Sequence, residues 1–154
     1  MKIKSVSGLV VAILIVCFLL SACGSPRSAF DAYGNGARAW ARKFDKADPG
    51  KLIVLVEQNG VSSDPQRIAD KDTINAVYEA ISALRINGSM ELGEGSAIDN
   101  AKTVTYMFTS NGGNGASFTF IDNYLAYGDP LNANGILYSC AGLNDLFSIE
   151  GIDL

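Results

Sequence analysis

The chain has 154 residues, 12 basic and 16 acidic, with a formal charge of −4 and no histidine. That length suits one domain and leaves little room for a second. Without histidine, Ser-His-Asp catalysis, Cys-His catalysis and His-bearing zinc sites are excluded, and the absence of any Lys or Arg between Thr103 and Leu154 argues against nucleic acid as a partner.

At the start, Lys2 and Lys4 precede an uninterrupted apolar run of thirteen residues, Gly8 to Leu20. A spanning helix needs roughly 20 apolar residues, whereas 10–14 is the length of a signal-peptide core. A positive start, a short apolar core and small residues at the exit make a secretory signal, so residues 1–22 are expected to be removed. At that exit, Leu20-Ser21-Ala22-Cys23 resembles the bacterial lipobox, an aliphatic residue and two small ones before a cysteine. The resemblance implies recognition of Leu20, Ser21 and Ala22 by the signal peptidase and cleavage before Cys23. It also implies a diacylglyceryl group on the Cys23 thiol, with palmitate among the acyl chains. One acyl chain binds a bilayer only marginally, at about 0.8 kcal/mol per buried CH₂, but two or three on one residue make release slow. The expected place is the extracytoplasmic face of a cell membrane.

Without its first 22 residues the chain carries ten basic and sixteen acidic residues, a formal charge of −6. Six basic residues between Arg27 and Lys51 face three acids there, and this end next to the lipid suits an anionic surface, where each cation is worth about 1 kcal/mol. With Cys17 removed and Cys23 acylated, Cys140 is the only thiol, so no internal disulfide forms and the domain depends on its core. A lone cysteine of this kind reads as a small buried hydrophobe.

Residues 23–28 read as the lipidated cysteine and a short tether, followed by a single domain over 29–154. Phe30, Tyr33, Ala37, Trp40, Ala41 and Phe44 share one stripe at helical spacing opposite Arg38, Arg42 and Lys46. This predicts a helix over 30–46 with Ser28 as N-cap, irregular in its first turns because of Gly34 and Gly36, and ended by Asp48-Pro49-Gly50. It is expected to pack on a sheet; the alternative is a helix lying in the headgroups. Lys51 to Gln58 reads as a buried strand, Asn59-Gly60 as a turn and 61–67 as a polar loop. A second helix spans 73–85, capped by Asp70 or Asp72 and closed by Asn87-Gly88.

Beyond Met90 the period changes to two. Val104, Tyr106 and Phe108 alternate with Thr103, Thr105 and Met107, and Phe118 and Phe120 with Ser117 and Thr119. Turns at 111–115, Asp122-Asn123 and 128–135 separate these from strands at 124–127 and 136–140, and a short helix around Leu143, Leu146 and Phe147 closes the chain. The expected fold is α+β, a two-layer domain with an antiparallel β-meander and two helices packed on one face. The run Phe118-x-Phe120-Ile121-Asp122-Asn123-Tyr124-Leu125, then Asn134 to Tyr138 and Leu143 to Phe147, resembles the C-terminal hairpins of small Gram-positive lipoproteins, which implies location and fold but no activity.

No catalytic residue, metal site or cofactor is expected. The glycines at 111–115 lack the lysine of a phosphate loop, and the pairs Asp45/Asp48 and Asp70/Asp72 sit where aspartates cap helices, although a two-acid hydrolase uses the same residue type. The expected function is a non-catalytic, monomeric lipoprotein held on the membrane by Cys23, contacting an envelope protein. The alternative is a small-ligand or glycan receptor using the tyrosines of the meander, Tyr106, Tyr124, Tyr127 and Tyr138, as its surface.

Overall fold

The structure, a computed structural model, describes residues 27–91, 101–110, 115–128 and 135–154. Residues 1–26, on which the expected signal segment, Cys23 and most of the expected tether fall, lie outside the described residues, as do 111–114 and most of the 128–135 turn. The architecture is α+β: one antiparallel sheet with helices on one face. In chain order the elements are α1 (Ala29–Ala32), α2 (Gly34–Lys43), β1 (Lys51–Gln58), β2 (Val61–Ser62), β3 (Gln66–Ile68), α3 (Lys71–Ala83), β4 (Arg85–Glu91), β5 (Thr103–Thr109), β6 (Gly115–Ile121), β7 (Tyr124–Tyr127), β8 (Ile136–Ala141) and α4 (Leu143–Phe147). The strands lie in the order β2-β1-β5-β6-β7-β8-β4, with β3 continuing the β2 edge along β1. The meander expected from the sequence is β5 to β8, with β1 paired to its first strand and β4 to its last.

Alternation divides each strand between two faces. Leu52, Val54, Val104, Tyr106, Phe108, Phe118, Phe120, Leu125 and Tyr138 point toward the helices and are buried with Ala29, Ala32, Ala37, Ile74, Val77, Ile81, Leu143 and Leu146. Aromatic rings fill this layer. Phe118 is fully buried and has Tyr33, Phe30 and Trp40 at centroid distances of 5.0, 5.5 and 6.1 Å. Such ring pairs add about 0.5–1.5 kcal/mol each beyond the area they bury.

Four expectations are corrected. The helix expected at 30–46 is two helices, because Gly34 takes φ +76 and turns the chain between α1 and α2. Ser28 caps α1 as expected, its Oγ accepting from the Asp31 backbone N–H at 3.2 Å. Trp40 and Phe44 pack on Phe108 at 5.0 and 5.9 Å, so this helix belongs to the core layer. The polar loop at 61–67 contains two short edge strands. They pair with β1 on either side of 63–65, and Pro65 sits in the gap, where no ladder N–H is needed. Asn87-Gly88 closes no helix: α3 starts at Lys71 on the Asp70 cap, two residues early, and ends at Ala83, and Asn87 and Gly88 form a register shift inside β4.

The chain end is tied back as well. The Asp153 N–H donates to Gln66 Oε1 at 3.0 Å, the Gln66 amide donates to the Asp153 carbonyl, and Ile152 and Leu154 pack on the core. No described helix is long and apolar enough to cross a membrane.

Candidate functional site

The four tyrosines proposed as a ligand surface do not come together. Tyr106 is fully buried and Tyr138 is 6% exposed, both pointing into the helix-covered core. Tyr124 pairs across from Ser139 and Ile121 on the opposite face, and Tyr127 stands on the helix side against Tyr33 at 5.5 Å. Tyr106 continues the Val104 and Phe108 alternation that fills the core, so its period of two already marked it as inward.

The concavity lies elsewhere. α2 carries Gly36, Ala39, Trp40 and Lys43 at spacings of three and four, so they share one face. The two small residues leave that face hollow, and the half-buried Trp40 with Phe108 forms its apolar floor. The helix ends at Lys43 because Phe44 turns to extended backbone, and its ring stacks on Tyr78 at 4.0 Å and 3°. Tyr78 Oη donates to the Ala41 carbonyl at 3.1 Å, satisfying a carbonyl of the last turn. Burial raises the Tyr78 hydroxyl above its usual pKa.

The following loop supplies the polar rim, and α3 holds it in place. Lys71 Nζ donates to the Ala47 carbonyl at 2.6 Å, Asn75 Nδ2 to the Lys46 carbonyl at 3.1 Å, and Lys46 pairs with Glu79. The hydrogen bond and charge of Glu79 raise the pKa of Lys46. Asp45 Oδ1 accepts from the Ala47 N–H at 2.9 Å, closing an Asx turn. Gly50 closes the loop where it runs against β5; with φ +75, an added Cβ would stand 2.1 Å from the Thr109 carbonyl oxygen. The resulting cleft holds about 350 Å³, with Asp45 and Asp48 on the loop side and Ser110 and Gly115 across it.

Two further polar features lie in the core. The Tyr33 hydroxyl enters the sheet where β6 and β7 part: the Thr119 N–H donates to it at 3.0 Å and it donates to the Ala126 carbonyl. It replaces a ladder rung, and burial pushes its pKa up to about 12. Tyr106, by contrast, has no partner for its buried hydroxyl among the described residues, and burial raises its pKa as well. Cys140 is half-buried, its thiol donating to the Tyr138 carbonyl at 3.5 Å, and burial raises its pKa, which disfavours the reactive thiolate.

Of the carboxylate pairs, Asp70 caps α3: its Oδ2 accepts from the Thr73 hydroxyl and N–H at 2.7 and 2.8 Å, which lower its pKa. Asp72 stays exposed in the first turn. Among the described residues no three His, Cys, Asp or Glu side chains converge to hold a metal. In the sequence, Trp40 and Phe44 read as core or headgroup residues, Phe108 as core, and Asp45 and Asp48 as helix-end acids or a hydrolase pair; the available signal for a cleft was Gly36 and Ala39 on the Trp40 face. No family model, curated protein or solved structure matches the chain.

Proposed function

We propose that the protein is a non-catalytic lipoprotein, anchored through Cys23 on the extracytoplasmic face of a cell membrane, where the edge of its sheet contacts another envelope protein. Support for the anchor comes from the Leu20-Ser21-Ala22-Cys23 run at the end of the apolar core. Support for the contact comes from where the chain enters the domain. The Ile86 N–H donates to the Arg27 carbonyl at 3.3 Å and Ser28 bridges Arg85, so the first described residues are clamped to the start of β4. From Cys23 to Arg27 the chain reaches at most about 14 Å. A lipid there would hold β4 near the bilayer, with the exposed Arg27 and Arg85 toward the headgroups.

The observation that carries this reading is the outer edge of β4. Past Ile86 no described residue pairs with it, and Met90 on it is 49% exposed. An unpaired edge offers a row of backbone donors and acceptors to an extended segment of a partner. A photoreactive amino acid at Met90 of the lipidated protein in intact cells should give a discrete cross-linked species. The same group at Val61, 71% exposed on the opposite edge, should give none. Equal cross-linking from both positions, or none from Met90, would contradict the proposed contact.

A further inference from the structure

We propose that the cleft between α2 and the β5–β6 hairpin is a binding site for a neutral saccharide. The proposal goes beyond the anchoring reading and does not depend on it.

Size comes first. About 350 Å³ is at the lower end of the roughly 300–1,000 Å³ of small-ligand sites. The lining chemistry then narrows the class. Trp40, Phe44 and Phe108 stand within 5.0–5.9 Å of one another, inclined at 49–88°. Phe108 is 2% exposed and backs the cleft, so the half-buried Trp40 and Phe44 form its aromatic wall. Aromatic faces carry negative charge density and attract partial positive charge, which the C–H faces of a pyranose ring present. The same wall attracts an organic cation, which Asp45 and Asp48 favour and Lys43 opposes, so tetramethylammonium is the competing ligand that the test must separate. An anion would meet Asp45 and Asp48. A neutral polyol suits the whole set: each hydroxyl donates and accepts, the carboxylates accept, and the Lys43 ammonium donates.

The cleft is also set up without a ligand. The loop carrying Asp45 and Asp48 is fixed by Lys71, Asn75 and Glu79 of α3, the last paired with Lys46 of the loop. Phe44 is held flat against Tyr78. A wall held in place in advance needs little ordering when a ligand enters, which favours affinity.

Trp40 is the only tryptophan and lines the cleft, so its emission reports occupancy directly. The full chain, in a polyoxyethylene-ether detergent, is titrated with cellobiose, chitobiose and maltose, and with tetramethylammonium and inorganic phosphate as controls. At least one saccharide is expected to give a saturable change, and neither control ion any. Gly36→Leu should weaken that response about tenfold or more. A Cβ at Gly36 starts in open space with nothing within 4 Å, so this side chain fills the cleft without disturbing the core, and the thermal midpoint should hold. Asp45→Asn keeps the acceptor for the Ala47 N–H and should weaken the response several-fold. No response to any of the three saccharides, a saccharide response unchanged by Gly36→Leu, or a response to tetramethylammonium alone would overturn the proposal.

Discussion

Phe118 and Thr119 are neighbours on β6 and point to opposite faces of one sheet, and their surroundings differ in kind. Phe118 is enclosed by rings from α1, α2 and β5. Thr119 stands in a row that crosses six strands on the other face, Leu55-Thr105-Thr119-Ala126-Leu137-Met90, where its hydroxyl meets that of Thr105 at 3.1 Å. That row has no charged member. Ala126 and Leu137 are buried with Ile121 and packed by Ala101, while Met90 stands exposed at its end. The helix-covered face therefore gets its stability from volume that must be filled. The other is only half-covered at Leu55, Thr105 and Thr119 and buries the small cluster of Ile121, Ala126 and Leu137, so less volume there has to be filled.

Substitution should separate the two. Phe118→Ala is expected to cost about 3–5 kcal/mol, because rigid rings on several sides cannot collapse into the space. Out of the roughly 5–15 kcal/mol that holds a domain folded, that is a large share. Thr119→Val, one residue away, removes a hydroxyl bonded to Thr105 and should cost about 0.5–1.5 kcal/mol. Urea denaturation of the two variants measures both, and similar costs would erase the distinction between the faces.

A second pair sharpens it within the aromatic layer. Tyr33→Phe removes a hydroxyl that serves two backbone groups, the Thr119 N–H and the Ala126 carbonyl. Leaving these unsatisfied should cost about 1–3 kcal/mol. Its pH dependence has a definite sign. The unfolded tyrosine ionises near 10 and the folded one near 12, because burial disfavours the phenolate while Tyr127 adds to the shift. The folded state thus holds its proton longer, so this contribution is complete below pH 10 and is lost as pH rises from about 10 to 12. The stability gap between wild type and Tyr33→Phe should narrow over that window; a constant gap would refute the assignment. Tyr106→Phe runs the other way: deleting an unpartnered buried hydroxyl should leave stability unchanged or raise it by about 1 kcal/mol.

What was legible in the sequence follows the same division. β5, β6 and α3 announce themselves because burial on one face imposes a period, as Val104, Tyr106 and Phe108 show, while β1 is legible from its apolar run Leu52 to Val56. β2 and β3 pair with β1 alone and bury little, so nothing in Val61 to Ile68 had to alternate. Asn87-Gly88 has the composition of a turn, and only its partner Ser139 on β8 keeps it in a strand. The cleft escaped notice because it depends on side chains that are missing. Gly36 reads as a weak point in a helix until Trp40 and Phe108 are seen beside it.

Attachment to the membrane depends on the proposed lipid on Cys23. Metabolic labelling with palmitate, followed by mass spectrometry of the purified protein, should give a labelled mature chain beginning at Cys23, with an N-terminal peptide carrying a diacylglyceryl thioether. In Cys23→Ala the label and the sedimentation with membranes should both be lost. Undiminished labelling in that variant, or an intact mass showing an unmodified Cys23, would contradict the proposed lipid.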